Sequence, residues 1–202
     1  MTISYAVTVW NELEEIKRLL PYLIKHKRDE DEIVVRWDDS GPIQVWNYLL
    51  TLKDVKIFKG PFRRDFGRWK NNLNSSCSND YIFQIDADEM IDEYMMRLLP
   101  QVLNQNDVDL IAVPRINTVE GLTNEHIQKW NWRVNEEGWV NFPDYQTRIY
   151  RNDARIRWHG QVHERIIGHQ TYSTLPATKD WSLIHHKQID RQERQNALYE
   201  TI

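Results

Sequence analysis

Short apolar runs alternate with amphipathic stretches along the first half of this chain. Residues 3–9, mostly apolar, read as a first strand. Asn11 then stands where a helix N-cap belongs, with Glu14 three residues on in capping-box position. Leu13, Ile16, Leu20, Leu23 and Ile24 follow at helical spacing. Pro21 falls inside that helix and should kink or split it, because it lacks an N–H and crowds the carbonyl one turn back. The alternation repeats as a strand over 32–37, a helix over 44–52, a strand over 55–58, a helix over 66–77 and a strand from Tyr81 to Asp86. It continues with a helix over 90–103, with Leu98, Leu99 and Val102 turned to the core, and a strand over 108–113. Such alternation predicts an α/β fold with a parallel sheet and helices on its faces. After Pro114 the pattern loosens. Residues 115–180 are rich in Trp, Arg, Asn and His, with short extended pieces such as 146–151. This region is expected at the sheet edge, covering a site. A strand-like stretch over 181–184 and a polar helix over 190–202 close the chain. With no internal repeat and no linker, residues 1–202 read as a single domain made of two halves, 1–114 and 115–202.

Composition narrows the picture. A chain of 202 residues can bury a sizeable core. A net charge of -4 with 28% charged residues offers no global attraction to nucleic acid. The single cysteine, Cys77, excludes an internal disulfide and fits a reducing compartment. Met1-Thr2-Ile3-Ser4-Tyr5 lacks the basic and apolar regions of a signal peptide. No apolar run approaches the ~20 residues that span a bilayer. The expectation is a soluble, cytoplasmic protein. Stable membrane anchoring is not expected either, since residues 187–200 mix both charge signs and hold few apolar residues.

Candidate chemistry gathers at the strand ends. Tyr81-Ile82-Phe83-Gln84-Ile85 runs straight into Asp86-Ala87-Asp88-Glu89. Carboxylates one residue apart can converge on a hard cation such as Mg²⁺ or Mn²⁺, which usually accompanies a phosphate-bearing substrate. The plain alternative is a solvated acidic turn, or acids favouring the next helix dipole. Asn11-Glu12 ends the first strand and Asp38-Asp39 the second. In a parallel sheet these carboxyl ends share one edge, where open α/β sheets bind ligands. Between them lies the basic stretch Arg63-Arg64-Asp65-Phe66-Gly67-Arg68-Trp69-Lys70-Asn71, able to meet phosphate or simply to form a solvated helix face.

Four segments together resemble family 2 glycosyltransferases in order and spacing. They are Thr8-Val9-Trp10-Asn11-Glu12, Val34-Val35-Arg36-Trp37-Asp38-Asp39-Ser40-Gly41, Phe66-Gly67-Arg68-Trp69-Lys70-Asn71 and Asp86-Ala87-Asp88-Glu89. With the later Trp158-His159-Gly160-Gln161-Val162-His163-Glu164, the chain is most similar to the lipopolysaccharide-core β-glucosyltransferase branch. It departs in lacking the usual proline of the first motif and in carrying Arg36-Trp37 before the acids. The resemblance implies a GT-A fold, Rossmann-like with a mostly parallel central sheet flanked by helices, and an irregular C-terminal acceptor-side region. The half 1–114 would then bind the nucleotide sugar. The resemblance also implies a metal-dependent, inverting transfer from a nucleotide-diphosphate sugar, UDP by default, with Mn²⁺ or Mg²⁺ as cofactor. Asn11 and Glu12 would line the base and ribose pocket, and Asp38 or Asp39 would contact the base. Arg68, Lys70, Asp86 and Ala87 complete the donor site, and Asp88, Asp86 and His185 would hold the metal. Glu164 is the first candidate for the general base and Asp144 the second.

Plainer fates stand beside several of these. Glu164 could instead pair with Arg165 or Arg157, and His163 could be a metal ligand, an acceptor contact or a satisfied core histidine. Trp130, Trp132, Trp139 and Trp158 could stack on a sugar, though most should serve the core. A sugar-phosphate nucleotidyltransferase is the alternative enzyme, but Trp10-Asn11-Glu12-Leu13 lacks the Gly-rich phosphate loop such enzymes use. A non-catalytic carbohydrate- or nucleotide-binding module is the alternative outside enzymes. The expected acceptors left open are a saccharide, a protein side chain and a hydroxylated nucleic-acid base. The last is kept open by Arg148, Arg151, Arg155 and Arg157 despite the net acidity.

Overall fold

The computed structural model describes residues 1–190. Its strands are β1 (Ile3–Val9), β2 (Glu32–Asp38), β3 (Lys56–Gly60), β4 (Tyr81–Asp86), β5 (Glu89–Ile91), β6 (Leu110–Val113), β7 (Arg115–Glu120), β8 (Gln146–Arg151), β9 (Arg157–His159), β10 (Arg165–Ile167), β11 (Tyr172–Thr174) and β12 (Leu183–Gln188). The helices are α1 (Leu13–His26), α2 (Ile43–Leu49), α3 (Phe66–Asn74), α4 (Glu93–Gln105) and α5 (Asn124–Lys129). The main sheet has the order β11-β6-β8-β4-β1-β2-β3. β1 pairs in parallel with β2 and β4, and β2 with β3. A second sheet stacks β5, β12 and β7, and β9 pairs with β10 as a hairpin.

Alternation along the strands divides the core. Tyr5, Val7, Phe83 and Ile85 point to one face and pack with Ile16, Leu19, Leu20 and Leu23 of α1 and Leu99 of α4. Ala6, Val34 and Ile82 point to the other and meet Leu73 of α3, Trp158 and Ile166. Burying each large aliphatic side chain contributes about 1.5–3 kcal/mol, so this two-faced packing holds the strand ends in place.

The expected elements are present, with instructive shifts. α1 starts from Glu12, not Asn11, and no side chain caps it. The Glu12 carboxylate folds back to accept the N–H groups of Trp10 and Asn11, at 2.8 and 3.0 Å. Pro21 neither splits nor ends α1. It faces solvent, where the carbonyl left unpaired one turn back can be hydrated. The acid motif does not lead directly into a helix. Residues 89–91 form β5, with Ile91 buried opposite Leu183, and α4 begins only after Asp92 caps the Tyr94 N–H at 2.8 Å. In α4, Leu99 is buried as expected, whereas Met95, Met96 and Leu103 take the places given to Leu98 and Val102, which are half-buried.

The second half is not simply added at the sheet edge. β8 inserts between β4 and β6, antiparallel to both, while β11 lies on one edge of the main sheet. Residues 179–181 form a short 3₁₀ turn, and the last strand, β12, starts at Leu183. The helix expected over 190–202 lies outside the described residues, as does most of the 187–200 stretch. Among the described residues, no helix is long and apolar enough to cross a membrane.

Candidate active site

The chain leaves the main sheet at Asp86, turns through Ala87 and Asp88, and re-enters extended structure at Glu89. Glu89 closes this turn, its Oε2 accepting the Asp86 N–H at 3.0 Å. It is fully buried, and its Oε1 accepts from Arg148 at 2.8 Å and Arg115 at 3.1 Å. Arg148, only 4% exposed, also donates to Asp86. Removing such charges from water is tolerable only because each has a partner. Burial by itself would raise the Asp86 carboxyl, but Arg148, Lys70 and Arg115 outweigh it and hold the group well below the usual carboxylate range. The same pairing holds Arg148 charged against the burial that opposes it. Ala87 is buried in the turn.

Asp88 faces the other way. β12 runs antiparallel to β5 with His185 opposite Glu89, which brings the His185 Nε2 to 3.4 Å from Asp88 Oδ2. That Nε2 is buried and makes no hydrogen bond. The other ring nitrogen, Nδ1, lies 3.0 Å from the Asn117 Oδ1. Asn117 Nδ2 donates in turn to Asp144 Oδ2 at 2.9 Å. Asp144 further accepts from Arg115 at 2.7 and 3.0 Å and from Gln146 at 2.7 Å. Burial pushes the Asp144 carboxyl up, and Arg115, Asn117 and Gln146 more than reverse it. Both Asp144 oxygens are therefore committed to holding neighbours.

This arrangement fits a divalent cation at Asp88 and His185, an oxygen and a nitrogen donor converging beside an orphaned buried atom. Asp86 spends a carboxylate oxygen on Arg148. No group of three or more His, Cys, Asp or Glu side chains is gathered for a metal among the described residues. The remaining coordination positions of such an ion would fall to groups from outside the protein, as is usual for Mg²⁺-type sites.

The other strand ends meet the same edge. Asp38 is nearly buried and accepts from the Ser40 N–H and Oγ, at 3.1 and 3.0 Å, and from the Phe62 N–H at 3.3 Å. It ties loops together, while Asp39 and Asn11 are exposed. Trp37 Nε1 donates to the Trp10 carbonyl at 3.1 Å, and a Cβ on Gly41 would fall 2.3 Å from that same oxygen. The glycine of Asp38-Asp39-Ser40-Gly41 is thus a close-approach residue.

Two distant motifs dock on each other. The Phe66 N–H donates to the Gln161 carbonyl at 3.0 Å and the Gly67 N–H to the Gly160 carbonyl at 3.1 Å. Asn71 exchanges hydrogen bonds with the Trp158 backbone at 2.8 and 2.9 Å. A Cβ on Gly67 would sit 2.6 Å from the Gly160 oxygen. The β9–β10 hairpin thereby satisfies N–H groups at the start of α3 and carries Glu164 to Lys70. The pair closes at 2.7 Å, with the ammonium 4.2 Å from the Trp158 ring centre. Glu164 thus pairs with Lys70 rather than with Arg165 or Arg157, and Lys70 reaches the field of Asp86. Arg68 and His163 are exposed.

Arg115, Asn117, Glu89 and Arg148 organise this site and were not among the expected site residues. Arg148 instead stood in the arginine group Arg148, Arg151, Arg155 and Arg157, from which the structure removes it by burial, while Arg155 and Arg157 stay exposed. Arg148 is buried, Arg151 pairs with Asp107 and Asp109, and Arg155 pairs with Asp153. Of the four tryptophans, Trp158 is core, whereas Trp130 packs on His126 and Trp132, and Trp139 on Phe142.

Residues 4–175 match the family model described as Glycosyl transferase family 2. The chain belongs to that family. Among curated proteins, this family 2 chain is 25% identical over 166 residues to the SPbeta prophage-derived glycosyltransferase SunS of Bacillus subtilis (strain 168), covering 81% of this chain and 34% of SunS. Glycosyltransferase SunS of Bacillus phage SPbeta matches at the same level. The chain thus spans about a third of the length of these relatives. Among solved structures, S. aureus TarS 1–349 in complex with UDP superposes with a TM-score of 0.66 at 16% identity, covering 92% of this chain and 60% of that one. The complex of TarS 1–349 with UDP-GlcNAc gives 0.65 at 16% identity, covering 93% and 59%. The fold is the mixed α/β GT-A architecture, with its mostly parallel central sheet.

Proposed function

We propose that this family 2 domain is a metal-dependent, inverting glycosyltransferase that moves a sugar from a nucleotide-diphosphate sugar to an acceptor hydroxyl. The observation that carries the reading is Asp88 Oδ2 set 3.4 Å from the buried, hydrogen-bond-free Nε2 of His185 at the carboxyl end of β4. That is where open α/β sheets receive nucleotides. UDP is the proposed nucleotide, supported by the UDP and UDP-GlcNAc complexes of a protein that shares the fold. The Asp86-Ala87-Asp88-Glu89 and Val162-His163-Glu164 signatures support placing the chain beside the lipopolysaccharide-core branch.

In this reading the exposed Asn11 and Asp39 meet the base and ribose, while Glu12 and Asp38 hold the loops that present them. Arg68 and Lys70 bring positive charge toward the diphosphate, and Asp86 and Ala87 form the floor. Asp88 and His185 would hold Mn²⁺ or Mg²⁺, which when bound stabilises negative charge on the departing diphosphate as a Lewis acid. Glu164 takes the proton of the acceptor hydroxyl as that oxygen bonds to the anomeric carbon. The bond from that carbon to the diphosphate breaks on the opposite face, its electron pair leaves with the nucleotide, and the configuration inverts. Glu164 is preferred over Asp144 because Asp144 already accepts four hydrogen bonds. The acceptor is proposed only as a hydroxyl-bearing molecule, a saccharide foremost.

Thermal melting with UDP, GDP, CDP and dTDP, each with and without Mn²⁺, tests the reading. A nucleotide at a hundred times its dissociation constant should add ~2.7 kcal/mol of stability. The gain should require Mn²⁺ and vanish in Asp88→Ala. No gain with any nucleotide would overturn the proposal.

A further inference from the structure

We propose that Asn117 is a positioning residue that locks the His185 ring in its Nδ1–H form, so that the Nε2 lone pair faces Asp88 and a divalent cation. The proposal rests on the metal-dependent reading above and adds what makes His185 a competent donor.

An imidazole presents a nitrogen lone pair to a metal only if its proton sits on the other nitrogen. Which nitrogen is protonated is decided by the partner of the far side of the ring. Here that partner is Asn117 Oδ1, 3.0 Å from Nδ1. An asparagine amide could in principle turn either end to the ring. Asp144 removes the choice. Its ionised carboxylate only accepts, and it lies 2.9 Å from the other end of the Asn117 amide, so that end must be the NH₂ group. Burial works against the Asp144 charge, but Arg115, Asn117 and Gln146 keep it ionised. The oxygen of Asn117 therefore faces Nδ1 and can only accept, which places the proton on Nδ1. In the neutral ring Nε2 then carries the lone pair.

The backbone makes this arrangement stiff. β7 and β12 pair in parallel with Asn117 opposite His185. On the other side of β7, the Val140 N–H donates to the Asn117 carbonyl at 2.8 Å. Arg115 and Asn117, alternate residues of β7, both reach Asp144. At the far end of the chain of contacts, Nε2 faces Asp88 Oδ2 at 3.4 Å with no hydrogen bond between them. A lone pair and a carboxylate oxygen at that separation repel each other unless a proton or a metal cation lies between them. The Asp144–Asn117–His185 relay thus prepares one nitrogen donor for a cation.

The tautomer can be read without any metal. In the metal-free chain with ¹⁵N-labelled histidine, at a pH where the ring is neutral, His185 should show a protonated Nδ1 and an unprotonated Nε2. Its signals are identified by their loss in His185→Ala. Asn117→Leu keeps the volume but removes the acceptor, and its ring should shift toward the Nε2–H form. In the presence of UDP, Mn²⁺ affinity followed by electron paramagnetic resonance should weaken about 10–100-fold, the usual cost of losing an outer partner of a metal ligand. The melting temperature of Asn117→Leu serves as the folding control. A wild-type ring carrying its proton on Nε2 would overturn the proposal whatever the variant does. An Asn117→Leu chain with unchanged ring signals and unchanged Mn²⁺ affinity would overturn it as well. Failure of the wild-type chain to bind Mn²⁺ with any nucleotide would sink the metal-dependent reading and the cation half of this proposal, while the ring spectrum still decides the tautomer.

Discussion

At the amino edge of the main sheet, Asp31, Glu32 and Asp80 are saturated with donors. Asp31 accepts the Ile3 N–H at 2.8 Å and two bonds from Arg28. Glu32 accepts from Ser4, Lys56 and Ser78, and Asp80 from the Thr2 N–H and Oγ1 at 2.7 and 3.0 Å. At the carboxyl edge, Glu89 and Asp144 are treated the same way by Arg148, Arg115, Asn117 and Gln146, and Asp86 gives one oxygen to Arg148. The difference lies in what those saturated acids surround. At the amino edge they close strands and loops. At the carboxyl edge they hold in place Asp88 beside an unsatisfied His185 Nε2. Negative charge alone does not mark a site; what sets this corner apart is the unmet His185 Nε2 lying beside the Asp88 carboxylate.

The contrast can be broken from either side. Asp88→Ala should have the largest effect, a fall in transfer of a thousandfold or more, equal to ~4 kcal/mol of lost transition-state stabilisation. An assay with a labelled nucleotide sugar would show it, and near-normal turnover would place Asp88 with the framework acids. Glu164→Gln should keep donor binding and lower transfer by about 10²–10⁴-fold. If it stays active, Asp144→Asn is the next variant to assay.

Framework residues should instead cost stability. Arg148→Met strands Asp86 and Glu89 without their shared partner and should cost about 3–5 kcal/mol in denaturant unfolding. Gly67→Ala drives a Cβ against the Gly160 oxygen, 2.6 Å away, and should cost about 1–3 kcal/mol while loosening the hairpin that carries Glu164.

The smallest effect belongs to the amino edge. Burial opposes ionisation of Glu32, yet Lys56, Ser4 and Ser78 bring it from an ordinary value of 4.5 down to about 2. The unfolded chain therefore takes up this proton first as acid is added. Its contribution is complete above about 4.5 and is lost as pH falls toward about 2. Glu32→Gln should cost about 1 kcal/mol at neutral pH and flatten the loss of stability across that acid window.

Much of this was legible in the residues. The strands of the first half announce themselves because each is a short apolar run closed by polar residues, and three of them end in acids. What was not legible depends on partners far along the chain. Nothing in the residues shows that Glu12 braces the N–H groups of Trp10 and Asn11. Arg148 groups with Arg151, Arg155 and Arg157 as a reason to keep a nucleic-acid acceptor open, because nothing around Thr147-Arg148-Ile149 shows that β8 will enter the sheet beside β4. Asn117 carries no local signal at all, since its meaning comes from Asp144 and His185.

The sequence by itself determined the α/β alternation, the strand ends that carry Asp38, Asp39, Asp86 and Asp88, and the family likeness. These rest on local periodicity and on motifs a few residues long, which any stretch of chain displays without its neighbours. Only the tertiary structure decided which acids brace the framework and which one meets His185. β8, β7 and β12 arrive from more than 25 residues beyond Asp88, and they bring Arg148, Arg115, Asn117 and His185 to one corner of the sheet. Whether a carboxylate braces the fold or faces a ligand depends on the donors that reach it, and those are supplied by folding.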